Sequence, residues 1–456
     1  MSSISSFWTL DRVAAALEEC AAVPLPRGTS NVPGITTDTR AIEPGYVFVA
    51  LKGEHFDGHD FLETAAAAGA GGVVVSKAPT LGSLQLPVFQ VNDTLIALGA
   101  LARYWRRAWN NTVIGVAGSN GKTTTKDLIR AALGEEMSVH ATTGNLNNRV
   151  GVPLTLLDIP SHAQCAVVEL GSNIPGEVAI LRDITEPQIA VVTSVAEEHL
   201  EGFGDLAGVL REETSVYDGV AVGVAPAAQP EIVEVAKRLA NRVVTAGLDA
   251  GDVRPNSWQI DADGRGTLVL DGVIVSPPLR GRHNLENAML AIAIARESGV
   301  SDLSIASGIA RMPVPKMRVA WETLGKATVI NDAYNSNPGS ARAAIALLDG
   351  LGDDRQRVVV LGTMRELGES ADKLHDEISR LALASGADVV AGIGDFAISL
   401  NRVSPGDKRV VTAGSPEELW WLLAPRLAPD AVILLKASRG VQLERLVPHL
   451  TTWAKQ

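Results

Sequence analysis

Short runs of apolar, often β-branched residues alternate along the chain with amphipathic segments of about 10 to 15 residues. In the middle of the chain the apolar runs fall at Thr112–Ser119, Ala166–Leu170 and Ile189–Val195, and helical spacing follows the first of them at Thr123–Leu133. This alternation is typical of βαβ units, in which parallel strands are joined by helices. We therefore predict an α/β fold.

Proline and glycine residues divide this pattern into three parts. Pro79 and Gly82 close the first part, and Met312–Pro315 closes the second. We predict a small N-terminal α/β domain over 1–82, a central domain with a mainly parallel sheet over 83–313, and a C-terminal domain of alternating strands and helices over 314–456. The Gly- and Asp-rich stretch 247–282 predicts hairpins or a small side sheet. In the C-terminal domain we expect strands at Lys326–Asn331, Arg357–Leu361, Asp388–Ile393 and Ala431–Lys436, and helices beginning at Gly339, Ala371, Pro416 and Val441.

Composition narrows the classes of function. The 456 residues carry 40 Lys+Arg against 52 Asp+Glu, a net charge of −12 that argues against a nucleic-acid partner. The charge is −4, −8 and 0 in the three predicted domains. Two cysteines exclude a disulfide framework, and neither a leader peptide nor an apolar run of membrane-spanning length is visible. We expect a cytoplasmic protein without membrane insertion.

The strongest chemical signal is the segment Gly115–Thr125, which follows a predicted strand and opens a predicted helix. Its match to a phosphate-binding loop is the short form, with Gly118, Gly121, Lys122 and Thr123, because position 116 is Val. Backbone N–H groups of such a loop surround phosphate oxygens, the lysine reaches the terminal phosphates and the threonine ligates Mg²⁺. An ordinary strand-to-helix turn is the alternative. The loop predicts nucleotide binding but leaves the reaction open.

A magnesium ion at this loop needs further oxygen ligands. Glu169 ends the apolar run 165–169, and His199 follows the run 189–195. Both residues therefore come after predicted strands, where ligands of open α/β sheets usually bind. The plain alternatives are a solvent-facing strand end for Glu169 and a surface histidine for His199.

With this loop, Glu169 and His199 placed in order, the chain resembles the Mur ligases, which form amide bonds at the expense of ATP in peptidoglycan precursor synthesis. The resemblance covers essentially the whole chain and rests on the segments 118–124, 142–153, 169–177, 283–287, 331–338 and 361–368. It implies a uridine-nucleotide domain, a central ATPase domain and a Rossmann-like C-terminal lid. The segments are most similar to members that join D-alanyl-D-alanine to UDP-N-acetylmuramoyl-tripeptide through an acyl phosphate, and we expect these two substrates, ATP and Mg²⁺, and a monomer.

The resemblance also implies roles for individual residues. Nucleotide contacts fall on Gly118, Ser119, Asn120, Gly121, Lys122, Thr123, Thr124, Asn287, Arg318 and Asp332. Substrate contacts fall on Arg40, Thr142, Asn147, Asn148, Asn335 and Asn337. Two alternatives stay open: residues 331–338 form only a turn and a helix cap, and Arg40 is a solvated surface residue.

One position departs from the family pattern. Most Mur ligases carry a carbamylated lysine about 14 residues after the histidine, whereas this chain has Glu213 there and no lysine between positions 127 and 236. Our hypothesis is that the Glu213 carboxylate supplies the metal-binding oxygens directly, so that Lys122, Glu169, His199 and Glu213 form the catalytic set, with Thr123, Glu169, His199 and Glu213 on the metal. The alternative is that Glu213 lies on a helix surface.

Three other functions remain at this point. A different Mur ligase and a folylpolyglutamate synthetase-like ligase share the expected ATP residues. A regulatory ATPase with a phosphate loop needs no amide-forming chemistry. Release of phosphate only in the presence of both substrates separates the ligase from the regulatory ATPase.

Overall fold

A computed structural model describes residues 7–77, 84–352 and 354–455. It contains three successive α/β regions, each built on its own sheet, together with a small three-stranded sheet. The predicted α/β class is confirmed. The proposed boundary at 82/83 lies outside the described residues. Within the described ranges, none of the helices combines the length and apolar character needed to cross a bilayer.

The N-terminal sheet has the order β1-β2-β3-β4, and its strands are parallel. Its apolar runs are short because the strands are only two to four residues long. Phe48, Val73 and Leu62 lie in the core beneath it. The elements are β1 Ile35–Thr36, β2 Val47–Val49, β3 Gly72–Val75 and β4 Val88–Gln90, with α1 Leu10–Leu17, α2 Leu62–Ala67 and α3 Thr94–Trp109.

The central sheet has six strands in the order β10-β9-β8-β5-β7-β6. The strands at 112–117, 165–169 and 189–192 are almost wholly buried, which explains why the sequence shows continuous apolar runs there rather than alternation. The strands are β5 Thr112–Ala117, β6 Val139–Ala141, β7 Cys165–Glu169, β8 Ile189–Val192, β9 Val222–Pro226 and β10 Arg242–Ala246. The helices are α4 Lys122–Leu133, α5 Gly151–Leu157, α6 Glu177–Thr185, α7 Leu200–Phe203, α8 Leu206–Thr214, α9 Pro230–Leu239, α10 Arg282–Glu297 and α11 Asp302–Ala310.

The side sheet expected between 247 and 282 is confirmed as an antiparallel meander. Its strands are β11 Ser257–Ile260, β12 Gly266–Leu270 and β13 Val273–Val275.

The C-terminal sheet has the order β14-β15-β19-β16-β17-β18, with only β14 antiparallel to its neighbour. The last strand of the chain, β19, inserts between β15 and β16, so the strand order changes direction there. The strands are β14 Ala320–Leu324, β15 Ala327–Asp332, β16 Arg357–Gly362, β17 Val389–Ile393, β18 Val410–Ala413 and β19 Val432–Lys436. The helices are α12 Pro338–Asp349, α13 Ala371–Ala384, α14 Asp395–Val403, α15 Pro416–Leu423 and α16 Leu446–Trp453.

The helix predicted from Val441 is wrong in its start. The chain forms two 3₁₀ turns there, and α16 begins only at Leu446. Gln442 lies between the turns with φ of +58°, a left-handed conformation that interrupts an α-helix.

The density of internal contacts divides the chain into two compact units. One comprises residues 1–116, 137–172 and 176–190, and the other comprises 117–136, 173–175 and 191–456. The first contains Thr142, Asn147 and Glu169. The second contains the phosphate loop, His199, Glu213 and the whole C-terminal sheet.

Candidate active site

The predicted phosphate loop is a four-residue connection between β5, which ends at Ala117, and α4, which begins at Lys122. The segment after β8 holds it in place: Ser119 N donates to the carbonyl of Ser194 over 2.7 Å, and Asn120 N donates to Ser194 Oγ over 3.1 Å. The loop is therefore preformed, with Lys122 and Thr123 in the first turn of a helix, where the helix dipole favours an anion.

Two glycines of the loop cannot be replaced by another residue without backbone strain and steric clash. Gly118 has φ of +123° and Gly121 has φ of +84°, both in the region that side chains disfavour. A Cβ on Gly118 would lie 2.3 Å from Thr193 Oγ1, and one on Gly121 would lie 2.6 Å from Asn287 Oδ1. The second distance also shows that Asn287, expected at the nucleotide, lies against the loop.

Lys122 lies between the loop and two buried carboxylates. Its amine donates to the carbonyl of Gly118 and lies 3.9 Å from Glu198 Oε1. Gly118 N donates to Glu213 Oε2 over 2.5 Å. Glu213 is wholly buried, so it is not a surface helix residue.

Burial raises the pKa of both carboxyl groups, and the positive charge of Lys122 opposes this change. The repulsion from Glu213 raises the pKa of Glu198 further, whereas the N–H of Gly118 lowers that of Glu213. The site thus keeps two acids in a setting where a full negative charge on each is costly.

In the other unit, Glu169 is the last residue of β7 and is buried. Asn147 Nδ2 donates to Glu169 Oε1 over 2.9 Å, and Glu169 N donates to Thr142 Oγ1 over 3.0 Å. The structure therefore brings together three predicted site residues. Asn148 is next to Asn147 in the chain, and its Oδ1 accepts from Val150 N and Gly151 N in the turn before α5.

His199 precedes α7 and has a left-handed backbone, with φ of +46°. Its Nδ1 contacts Glu366 Oε2, a residue that follows β16, and the carbonyl of Glu366 accepts from Glu201 N. A carboxylate on one imidazole nitrogen fixes the ring orientation, as is usual for metal-binding histidines. The other ring nitrogen, Nε2, lies 4.0 Å from Glu198 Oε2.

A cavity of about 260 Å³ lies beside the first turn of α10, between the side sheet and α12. His283, Arg282 and Glu286 line its polar side, and Ala343 and Leu347 belong to its apolar side. Asn287 follows one turn later on α10. A mainly apolar cavity with a few polar groups at one side is suited to a planar base.

The exits of β15 and β19 form a second polar cluster. Asp332 and Lys436 are paired in register on adjacent strands, and Lys436 Nζ lies 2.6 Å from Asp332 Oδ2. The same amine donates to the carbonyl of Asn335 over 2.7 Å, and Val319 N donates to Asp332 Oδ1. Lys436 is only 3% exposed, so this is a buried, balanced ion pair.

The remaining predicted residues have local partners. Asn337 caps α12 through Ser340 N and also donates to Asn120 Oδ1 over 2.9 Å, so the cap and a loop contact are both present. Asn335 accepts from Ser336 N, and the guanidinium of Arg318 lies 4.3 Å from the centre of the Tyr334 ring. Arg40 is exposed and pairs with Asp38, whose pKa it lowers to about 2.

The acidic and histidine side chains of these clusters bear on whether a hard cation such as Mg²⁺ can bind. Within the described residues, no group of three or more His, Cys, Asp and Glu side chains converges on one point. Buried carboxylate oxygens without a hydrogen-bond partner do occur in that part of the chain, at Glu169 Oε2, Glu198 Oε1 and Glu213 Oε1. Magnesium is commonly held by one or two carboxylates together with waters and substrate phosphates, so the chemistry of Glu169 in one unit and of Glu198 and Glu213 in the other suits this ion.

Three polar residues of these clusters were not predicted: Glu198, Glu366 and Lys436. Glu198 is next to the predicted His199, and Glu366 lies in the family-like segment 361–368. Lys436 carried a signal of its own, since a charge that closes a fully apolar strand is unusual.

The comparisons agree with this geometry. Residues 31–132 match the family described as "Mur ligase family, catalytic domain", residues 116–295 the "Mur ligase middle domain" and residues 317–439 the "Mur ligase, glutamate ligase domain". The UDP-N-acetylmuramoyl-tripeptide--D-alanyl-D-alanine ligase of Bacillus subtilis is 33% identical, with 92% of this chain and 93% of the relative covered. The chain belongs to the Mur ligase family.

Solved structures are similar over nearly the full length. MurF from Acinetobacter baumannii has a TM-score of 0.89 at 29% identity, covering 98% of this chain and 99% of that one. MurF from Thermotoga maritima in complex with ADP has a TM-score of 0.81 at 26% identity, covering 92% and 98%. The chain is thus an ATP-dependent, amide-bond-forming ligase, and the three-domain α/β fold is that of its family.

Proposed function

We propose that this protein adds D-alanyl-D-alanine to UDP-N-acetylmuramoyl-tripeptide, with ATP as the energy source, in peptidoglycan precursor synthesis. The observation that carries the proposal is the 33% identity, over 92% of this chain, to the Bacillus subtilis ligase whose name states this activity. The phosphate loop is intact in this chain. We further propose a cytoplasmic monomer with parts 1–82, 83–313 and 314–456 for the uridine nucleotide, ATP and the closing lid.

The reaction begins with transfer of the terminal phosphoryl group of ATP to the tripeptide carboxylate, because a carboxylate is a poor electrophile without a leaving group. The amine of D-alanyl-D-alanine then attacks the acyl phosphate, and the tetrahedral intermediate loses phosphate to leave the amide. Charge on the transferring group is stabilised by the N-terminal end of α4 and by Lys122, which leaves Glu198 and Gly118 to reach the phosphates.

Mg²⁺, when bound, would neutralise charge on the ATP phosphates during transfer. Thr123, Glu169, His199 and Glu213 are the residues that we propose to hold it. Glu213 Oε2 is occupied by the N–H of Gly118, so Oε1 is the atom available to a cation. Asn147 and Thr142 orient Glu169, and Glu366 orients His199.

Asn287, Arg318 and Asp332 are proposed to contact the nucleotide, with its base in the cavity beside α10. Arg40, Thr142, Asn147, Asn148, Asn335 and Asn337 are proposed to contact the peptide and sugar-nucleotide substrates. For Asn148 and Asn337, the contact would come in addition to the turn that Asn148 holds before α5 and to the cap that Asn337 forms on α12.

Release of ADP and phosphate, measured with each substrate omitted in turn, tests the function. We expect release only when UDP-N-acetylmuramoyl-tripeptide, D-alanyl-D-alanine and ATP are all present, together with a product whose mass equals that of the joined substrates less one water. L-Alanyl-L-alanine serves as the matched control. Equal phosphate release without dipeptide, or an amide formed with glutamate instead, would overturn the proposal.

The absence of the lysine gives a separate test. Activity should be unchanged when bicarbonate and CO₂ are removed, since Glu213 requires no carbamylation, and Glu213→Ala should raise the Mg²⁺ concentration needed for half-maximal rate. A wild-type Mg²⁺ titration for that variant would remove Glu213 from the metal-binding set.

A further inference from the structure

Glu198 is a buried acid with no role in the scheme above. It is 4% exposed and lies between two groups of the proposed site, with Oε1 at 3.9 Å from Lys122 Nζ and Oε2 at 4.0 Å from His199 Nε2. Its Oε1 has no hydrogen-bond partner in the described ranges. A buried carboxylate in such a position requires positive charge nearby.

The charges around Glu198 do not balance. Glu198 and Glu213 are both buried, and the positive charge of Lys122 acts on both of them. Each acid has one oxygen without a hydrogen-bond partner among the residues the structure describes. One ammonium group therefore serves two carboxylates, and the remaining negative charge is costly in this setting.

Phosphate binding makes this imbalance larger. Lys122 is held by the carbonyl of Gly118 and by Glu198, and it must turn to the phosphates when ATP binds. The two acids then lose their facing cation at the moment when further negative charge arrives. A divalent cation that enters with the nucleotide would restore the balance.

We propose that Glu198 and Glu213 together form a divalent-cation site beside Lys122. Glu198 Oε1 is a direct ligand of the cation, on the side of the site where His199 lies. The pair, rather than Glu213 alone, then replaces the carboxylate that carbamylation provides in relatives. This inference rests on the proposed function in one respect, since it assumes that ATP binds at the loop. The pair can bind a cation whether or not ligation occurs.

The test is a titration of the full chain with Mn²⁺, in which free Mn²⁺ is measured by electron paramagnetic resonance, with and without ADP. Glu198→Gln keeps the shape of the side chain and removes its charge. We expect its Mn²⁺ affinity to fall at least tenfold with ADP bound. Glu201→Gln, an exposed acid in the same segment, is the matched control and should bind Mn²⁺ as the wild type does.

Thermal unfolding gives a second readout that does not depend on turnover. Mn²⁺ should raise the Tm of the wild type and of Glu201→Gln, and it should have little effect on Glu198→Gln, which we expect to unfold at a higher temperature than the metal-free wild type. If Glu198→Gln and Glu198→Ala both bind Mn²⁺ with wild-type affinity, the acids share a proton instead and the site is disproved.

The two proposals fail differently. A protein that binds Mn²⁺ through Glu198 but releases no phosphate with the two peptide substrates disproves the proposed function alone. A protein that performs ligation with unaltered Mn²⁺ binding in Glu198→Gln disproves the cation site alone.

Discussion

Two polar clusters of the larger unit are built from the same residue types and differ in charge balance. At the phosphate loop, Lys122 faces Glu198 and Glu213, and carboxylate oxygens lack donors. At the exits of β15 and β19, Lys436 forms an ion pair with Asp332, and the acid also accepts from a backbone N–H.

The difference in charge balance indicates that the two clusters have different roles, one structural and one in ligand binding. A balanced, buried pair holds strands in register and changes little when a ligand arrives. An unbalanced cluster with excess negative charge is poor as a structural element, but it gives a cation a large share of its binding free energy. We infer that the loop cluster changes state during catalysis, whereas the strand-exit cluster stays in place when Asp332 contacts the nucleotide.

The largest expected effect is on turnover at the loop. Lys122→Met should lower the rate of ADP release by about 10²- to 10³-fold, the usual effect of removing a group that stabilises developing charge. Arg130→Met, an exposed cation on the same helix, is the control and should retain the wild-type rate. A Lys122→Met variant with more than a tenth of the activity would contradict the role given to this amine.

The second effect is on stability at the strand exits. Lys436→Met should lower the free energy of unfolding by roughly 3–5 kcal/mol, because Asp332 is left as an uncompensated buried charge. Urea unfolding followed by tryptophan fluorescence measures it. The double variant Lys436→Met, Asp332→Asn should recover most of the loss. If the double variant is as unstable as the single one, the pair is not what stabilises the scaffold.

The smallest effect concerns Asn337, which links the two clusters. Asn337→Ala should cost about 1 kcal/mol of stability, as expected for a lost helix cap, and should also raise the KM for ATP because Asn120 loses its partner. Ser301→Ala removes a comparable cap from α11 without a loop contact. Equal KM values in the two variants would show that the link to the loop has no catalytic consequence.

Much of the fold follows from local pattern. Continuous apolar runs predicted the buried parallel strands, and the side sheet was predicted from its turn residues. The start of α16 was not predicted correctly. Position 442 has a left-handed backbone but is a glutamine, so the glycine or asparagine that usually marks such a position is missing from the sequence. The strand β14 is also absent from the prediction, since its side chains are only partly buried and give a weak signal.

The site was predicted unevenly for a similar reason. The loop 118–124 combines its glycines, lysine and threonine between a predicted strand and a predicted helix, so a phosphate loop can be predicted there from a single sequence. The acids at 197, 198 and 201 are indistinguishable by pattern, yet Glu197 pairs with Arg342, Glu198 is buried near Lys122, and the side chain of Glu201 is exposed.

The sequence by itself determined the α/β class, the phosphate loop and the loss of the lysine at position 213, because each depends on residues that are neighbours in the chain. Tertiary structure decided which acids are buried together and which lysine is balanced by which carboxylate. Burial and pairing depend on strands and helices far apart in sequence, and the free energy of a buried charge is set by the groups that surround it in space.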